Sequence, residues 1–250
     1  IHNGQDYKDL FGPDSYYTGA SVQTHRPDFG HVHDAVKRLR DWPVVNGRPW
    51  AIAVDEPGDA EHGLLPDAEN PRHDDARMNG LWGALTAGAW GTEWYFGYQH
   101  AHSDLTAEDW RSRDLFWNQA RHALDFFAMI DVPYQLAHSA DNLVSADGLV
   151  PGRDAYVLAI PREFYIIFSK EGGRELSLQL PKDASTYEVA WYDPRNGGEL
   201  SQGSVDRLDT GPPGQGYHPR TRMKLGLPPD SPEQDWVILV KRVNQASLGV

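Results

Sequence analysis

The chain has 250 residues, of which 40% are hydrophobic and 11% aromatic, so it can bury one or two cores and general disorder is excluded. Its 36 acidic and 23 basic residues give a formal net charge of −13, which would repel phosphate backbones and argues against nucleic acid as a partner. No segment approaches the roughly 20 consecutive apolar residues of a membrane span, and no signal peptide is visible. Because cysteine is absent, disulfides and thiol catalysis are excluded.

The composition changes near residue 135. Ten of the eleven histidines precede residue 139, and seven of the nine tryptophans precede residue 120. The net charge is −10 up to Tyr134 and −3 after it. We therefore predict two domains, residues 1–134 and residues 135–250. The chain opens on Ile1 instead of methionine, which predicts a processed chain or a fragment.

Strand and helix patterns alternate along the first part of the chain. Strands are predicted at residues 15–24, 50–54 and 92–98, and helices at residues 31–42, 74–87 and 106–127. In the last helix, Leu115 and Leu124 are among the apolar residues that recur at helical intervals. Repeated strand and helix units predict a parallel sheet with right-handed crossovers. Three units cannot close an eight-stranded barrel, so the sheet is either open and small or the end of a longer chain.

The second part has the pattern of an antiparallel β-sandwich. Short apolar runs there alternate with turns such as Glu171-Gly172-Gly173 and Asn196-Gly197-Gly198, which is typical of antiparallel strands. The runs lie at residues 155–160, 163–169, 176–180, 187–191 and 236–240.

Two carboxylates follow the second predicted strand. The apolar run WAIAV (residues 50–54) leads directly into Asp55 and Glu56, and βα enzymes place catalytic residues at such strand ends. Alternation would point the two side chains in opposite directions. A glutamate in this position can act as a nucleophile, an acid or a base. The alternative is that both are ordinary loop acids that accept hydrogen bonds from nearby N–H groups.

The third predicted strand carries acids and aromatic residues that suit a sugar site. Glu93, Trp94 and Tyr98 are followed by His100, and an aromatic ring can cover the apolar face of a pyranose while polar groups bind its hydroxyls. Tyr98 is the better candidate for a stacking platform, because Trp94 could instead fill the core. At the end of the first strand, Gln23 and His25 are candidate pocket residues.

Two histidine pairs could face a metal ion. His100 and His102, with Asp104, have a spacing that could hold zinc, and the segment His31-Val32-His33 repeats it. The sequence offers no third ligand at a fixed spacing, and imidazoles also bind substrates by hydrogen bonds. We therefore predict no metal and no other cofactor.

Three segments of the first part resemble a known family. TGASVQTHRPDFGHVHDAVKRL, PWAIAVDEPGD and ARMNGLWGALTAGAWGTEWYFGYQHAHSDLTAEDWRSRD resemble the C-terminal half of the barrel in bacterial glycoside-hydrolase-like proteins that end in a domain of collagen-binding type. In the second part, WYDPRNGGEL (residues 191–200) is similar to the Trp-x-Asp-Pro-Arg-x-Gly signature of that terminal β-sandwich.

The resemblance implies a fold and an activity. The fold would be α/β plus all-β: the last three βα units of a (β/α)8 barrel, followed by an antiparallel β-sandwich. Glu56 would be the nucleophile of a retaining glycoside hydrolase that acts on a polysaccharide or oligosaccharide, with its acid/base partner on a strand that this chain lacks. Gln23, His25, Asp55, Glu93, Trp94, Tyr98 and His100 would contact the sugar.

The resemblance also implies secretion, to the extracellular space or the periplasm. Two other functions stay open at this point. One is a carbohydrate-binding or adhesion protein without catalysis. The other is a metal-dependent hydrolase that uses His100, His102 and a carboxylate.

Overall fold

In a computed structural model, the chain divides into two compact units, Ile1–Ile130 and Asp131–Val250. The structure describes residues 10, 12–46, 49–103, 105–106, 109–213 and 220–243. Across these residues, no helix has both the length and the apolar character needed to cross a membrane.

A short parallel sheet lies at the centre of the first unit. Strand β1 (Gly19–Gln23) pairs with β2 (Ala51–Glu56), and β2 pairs with the two-residue strand β3 (Gly91–Thr92). Val22 and Val54 are buried, as are their neighbours on the same face. The β1–β2 register shifts between Val22 and Gln23, which marks a β-bulge at the end of the sheet where functional residues were predicted.

Three α-helices accompany this sheet in the described part of the first unit. Helix α1 is Val32–Asn46, α2 is Trp82–Thr86 and α3 is Asp114–Met129. A π-helical segment, Ala76–Leu81, runs directly into α2, and a 3-10 turn, Trp110–Arg113, precedes α3.

The buried face of α3 differs from the predicted face. Phe116, Gln119, Ala123 and Phe126 are buried, whereas Leu115 and Leu124, which the periodicity placed on the inner face, are exposed. The helix carries apolar residues around much of its circumference, so two faces compete for the core. Aromatic contacts favour the observed face. The ring centroids of Phe116 and Trp94 lie 4.4 Å apart, and such pairs stabilise the fold beyond what their buried area contributes.

The predicted third strand, residues 92–98, is mostly absent as a strand. Pairing with β2 ends after Glu93, whose N–H donates to the Val54 carbonyl at 2.7 Å. The backbone then pairs with the loop that follows β2: the Leu64 N–H donates to the Tyr95 carbonyl at 2.7 Å. Gly97, with a φ of +71°, interrupts the extended backbone.

The second unit contains two antiparallel sheets in the described part of the chain. One has six strands in the order β10-β9-β12-β7-β6-β4, and the other has three in the order β11-β8-β5. The strands are β4 (His138–Ser139), β5 (Val144–Ser145), β6 (Ala155–Ile160), β7 (Phe164–Ser169), β8 (Ser177–Pro181), β9 (Thr186–Tyr192), β10 (Arg207–Asp209), β11 (Arg220–Lys224) and β12 (Trp236–Arg242).

The predicted fold class, a partial (β/α)8 barrel of three βα units followed by an antiparallel β-sandwich, is therefore wrong. The described chain is mostly β and has mixed sheets, one parallel and two antiparallel. Its parallel part is small because β3 pairs through two residues only. The aromatic run that suggested a further barrel strand instead packs against α3 and the loop after β2.

Side chains from both antiparallel sheets form one hydrophobic core. Ile238, in β12, is fully buried between partners in β7 and β9. Residues of the other sheet, including Leu178 and Leu180, belong to the same cluster. Two tryptophans, Trp191 and Trp236, pack edge to face with ring centroids 6.1 Å apart.

We expect the Ile238→Ala variant to lose about 2–5 kcal/mol of unfolding free energy, because truncation leaves a cavity in a closely packed core. Urea unfolding followed by fluorescence would measure the loss. The matched control is Leu227→Ala, at a side chain that is 41% exposed, where we expect a change within about 0.5 kcal/mol. Similar losses in both variants would contradict the assignment of Ile238 to the core.

Candidate functional site

The β-bulge at the end of β2 positions both predicted carboxylates. Gln23 stands opposite Glu56 in the β1–β2 register, and its Nε2 donates to Glu56 Oε2. The Ser21 hydroxyl donates to Asp55 Oδ2. Ser21 and Gln23 are two residues apart on β1 and therefore share a face of the sheet. Both carboxylates thus lie towards that face, instead of pointing in opposite directions as simple alternation predicts, because the bulge inserts one extra residue in β2.

The backbone ties the two strand ends together. Thr24 N–H donates to the Glu56 carbonyl at 3.0 Å, and the Thr24 hydroxyl accepts from Gly58 N–H at 2.8 Å. Thr24 is buried. These bonds hold the turn after β2 against the end of β1, so Glu56 has a fixed place on the sheet edge.

A polar cleft of about 270 Å³ opens beside this edge. It is lined by Gln23, Thr24, His25, Arg26, His31, Asp34, Ala35 and Arg38. Two predicted site residues, Gln23 and His25, therefore meet in one cleft, and Gln23 connects it to Glu56. The sequence prediction missed Arg26, Asp34 and Arg38. A signal for the last two was present, since His31, Asp34 and Arg38 recur at helical spacing and so share one face.

A second polar group forms around the loop after β2. Asp59 Oδ1 accepts from the N–H groups of Glu61 at 3.1 Å and His62 at 2.8 Å, and it lies 2.7 Å from His62 Nδ1. Burial raises the pKa of Asp59, but the hydrogen bonds from His62 more than offset it and hold that pKa below its ordinary value. The loop is therefore organised around an ionised carboxylate.

Glu61 fixes two side chains on the facing segment. Its carboxylate accepts from Tyr98 OH at 2.8 Å and from Gln99 Nε2 at 2.6 Å. The hydrogen bond to Glu61 raises the pKa of Tyr98. The Tyr98 side chain is 42% exposed, so an immobilised aromatic ring and an amide face solvent together.

Close backbone contact makes this arrangement possible. A Cβ added to Gly63 would lie 2.4 Å from the Tyr95 carbonyl oxygen, and one added to Gly97 would lie 2.5 Å from the Glu61 carbonyl oxygen. Both glycines also have positive φ. Any larger residue at either position would push the two segments apart.

The remaining predicted sugar contacts lie elsewhere. Trp94 is partly buried and packs against Phe29 and Phe116, with ring centroids 5.6 Å and 4.4 Å away. Glu93 is exposed and lies one residue beyond β3. His100 Nδ1 lies 2.8 Å from Glu69 Oε2.

The histidine pairs do not converge on a common point. His33 is buried, with Nδ1 2.8 Å from the Gly83 carbonyl, whereas His31 lines the cleft. His102 is exposed, and Asp104 lies outside the described residues. Among the residues that the structure describes, no group of three histidine or acidic side chains could hold a metal ion.

A buried histidine, His73, pairs with Asp67 in the polar loop that follows β2. His73 Nε2 lies 2.7 Å from Asp67 Oδ1, and Asp67 Oδ2 accepts from Leu115 N–H at 3.0 Å. Burial lowers the pKa of His73, and the nearby Asp67 only partly opposes it. The folded chain therefore holds His73 neutral over a wider pH range than the unfolded chain does.

Comparison with known proteins leaves the site to be interpreted from its geometry. No protein-family model matches the chain, and no curated protein matches it. The resemblance to glycoside-hydrolase-like proteins therefore stays a prediction carried by the quoted segments alone.

We expect acidification to destabilise the chain through His73. The unfolded chain takes up a proton near the ordinary value of 6.5, whereas the folded chain does so only at a lower pH. Stability is therefore retained above that value and lost as pH falls from it towards the lowered pKa. Urea unfolding at about pH 7.5 and about pH 5.5 would measure the loss.

The His73→Gln variant removes this titration while keeping an amide donor, so its stability should fall less over the same pH interval. His138→Gln is the matched control, because His138 is exposed, and its pH dependence should follow that of the unmodified chain. Equal pH dependence in His73→Gln and the unmodified chain would show that His73 is not responsible.

Proposed function

We propose that the chain acts on carbohydrate and that Glu56 is the nucleophile in hydrolysis of a glycosidic bond within a polysaccharide or oligosaccharide. The proposal is supported by the position of the Glu56 carboxylate at the end of β2, where it accepts a hydrogen bond from the Gln23 amide beside a polar cleft. The hydrogen bond orients the carboxylate, as a nucleophile requires. The proposal depends on this local geometry and not on a barrel.

In a retaining reaction, a Glu56 oxygen would attack the anomeric carbon as the bond to the leaving oxygen breaks. The glycosyl ester formed would then be hydrolysed by water, which restores the carboxylate. For an ordinary sugar leaving group, an acid must also supply a proton to the leaving oxygen. Leaving groups that depart as stable anions need no such proton, so they test Glu56 on its own.

The surrounding side chains suit recognition of sugar hydroxyls. Gln23 and His25 line the cleft and offer amide and imidazole groups that both donate and accept hydrogen bonds. Glu93 follows β3 at the same end of the parallel sheet and would accept from further hydroxyls. Asp55, held by Ser21, would support the strand end next to Glu56.

A second function, carbohydrate binding without catalysis, is favoured by a different observation. One carboxylate, Glu61, holds both Tyr98 and Gln99 in place. An exposed ring next to a fixed amide can stack on a pyranose and bind its hydroxyls without any acid pair. This function would need Tyr98 but not Glu56.

We expect 2-deoxy-2-fluoro glycosides with a dinitrophenolate leaving group to label Glu56. Such reagents form the glycosyl ester and hydrolyse slowly, so mass spectrometry of peptides would locate the added sugar. A panel of gluco, galacto, xylo, manno and galacturono reagents covers neutral and acidic sugars. The Glu56→Gln variant should show no label and at least about a hundredfold less release of reducing ends from polysaccharide.

The control for this experiment is Glu199→Gln, at an exposed glutamate of the second unit, which should label and turn over like the unmodified chain. Labelling at another carboxylate would transfer the nucleophile role to that residue. The absence of both labelling and reducing-end release across the panel would contradict catalysis and leave the binding function.

We expect the Tyr98→Ala variant to weaken oligosaccharide binding about fivefold, because it removes a stacking surface worth about 1 kcal/mol. Tyr98→Phe keeps the ring and should retain most of the affinity. Isothermal titration would measure both. Tyr16→Ala, at a side chain that is 96% exposed, is the matched control. Equal affinity in the Tyr98→Ala and Tyr16→Ala variants would exclude the platform role.

A further inference from the structure

The cleft beside Glu56 has a different charge from its surroundings. Residues 1–130 contain 11 basic and 20 acidic residues, so the first unit is acidic. Among the described residues, the cleft lining instead includes Arg26 and Arg38 and one carboxylate, Asp34. His25 and His31, which also line it, add imidazole N–H groups that can donate hydrogen bonds to an anion. The cleft is therefore locally basic within an acidic unit.

Two neighbouring elements supply these basic groups. Arg26 follows β1 in the turn that leads to α1, whereas Arg38 lies within α1 on the same face as Asp34, four residues earlier. Gln23 lines the same cleft and donates to Glu56. The Gln23 side chain therefore lies between the cleft that holds the basic groups and Glu56, the proposed nucleophile.

From this geometry we propose that the cleft binds an acidic substituent of a sugar, either the carboxylate of a uronic acid or a sulfate ester, so that the substrate is an acidic oligosaccharide. This inference rests on the proposed carbohydrate site. Guanidinium groups suit it because they present paired donors to planar or tetrahedral oxyanions. A neutral sugar would bring no group of opposite charge to the cleft.

The charge of the whole unit restricts the kind of anion. A nucleic acid carries one charge per about 1.7 Å of duplex, and so dense a polyanion would be repelled by the net negative charge of the unit. An oligosaccharide carries isolated charges spaced by whole sugar rings, so one group can enter the cleft while its neighbours stay outside. The observations therefore favour acidic glycans over nucleic acid.

The experiment compares ligands that differ only in their charge. Trigalacturonate is titrated against the full chain beside its carboxyl-reduced form, a galactose trimer of the same linkage. A sulfated galactan oligosaccharide and its desulfated form make the second pair, which distinguishes a carboxylate from a sulfate ester. We expect at least one acidic member to bind about tenfold or more tightly than its neutral partner. This preference should shrink at about 0.5 M salt.

Arginine variants assign the preference to the cleft. Arg26→Gln should reduce the preference for the acidic ligand by about tenfold, and Arg26→Lys should restore part of it. Arg121→Gln changes the net charge equally on the exposed surface of α3, where Arg121 pairs with Asp125 at 2.7 Å. That control should keep the full preference, because Arg121 does not line the cleft.

The results of these experiments distinguish failure of this inference from failure of the proposed function. A preference for acidic ligands with neither labelling of any carboxylate nor release of reducing ends would keep the inference and contradict hydrolysis. Labelling or turnover of neutral sugars, with no preference in either pair, would keep hydrolysis and overturn the inference. The inference is equally overturned if none of the four oligosaccharides binds, or if Arg121→Gln reduces the preference as much as Arg26→Gln does.

Discussion

The parallel pairing of β1 with β2, and the bulge at its end, is the constraint on which the candidate site depends. Each of the two strands contributes short buried side chains to the interior, and their carboxyl ends emerge at one edge. The extra residue at Asp55 changes the register so that Gln23 faces Glu56. Without that shift, the amide and the carboxylate would stand one residue apart, and the cleft would have no direct link to Glu56.

The sequence predicted the position of many elements but not how they associate. The strand patterns at residues 155–160 and 163–169 coincide with β6 and β7, because continuous apolar runs between turns leave few alternatives. The run at residues 92–98 has the same appearance, yet its backbone pairs with a loop. Composition cannot reveal this, since hydrogen-bond partners depend on the close approach of Gly63 and Gly97.

In the candidate site, too, the sequence predicted where residues lie along the chain but not how their side chains are directed. Local order along the chain sufficed to predict Glu56 at a strand end and Gln23 at the neighbouring one. It did not suffice for the directions of Asp55 and Glu56, because a bulge depends on how two strands pair and leaves little trace in either strand alone. Trp94 illustrates another limit: an aromatic residue beside acids has the same pattern whether it meets a ligand or the core.

The single carboxylate of Glu61 has a thermodynamic consequence for any ligand that meets Tyr98 and Gln99. Both side chains are already hydrogen-bonded to Glu61 before anything binds. A free tyrosine or glutamine would surrender rotational freedom on forming a complex, and that loss opposes association. Here the hydrogen bonds to Glu61 restrict that rotational freedom before any ligand binds. Less freedom is therefore lost on binding, which favours even a weakly binding sugar ring that stacks on Tyr98.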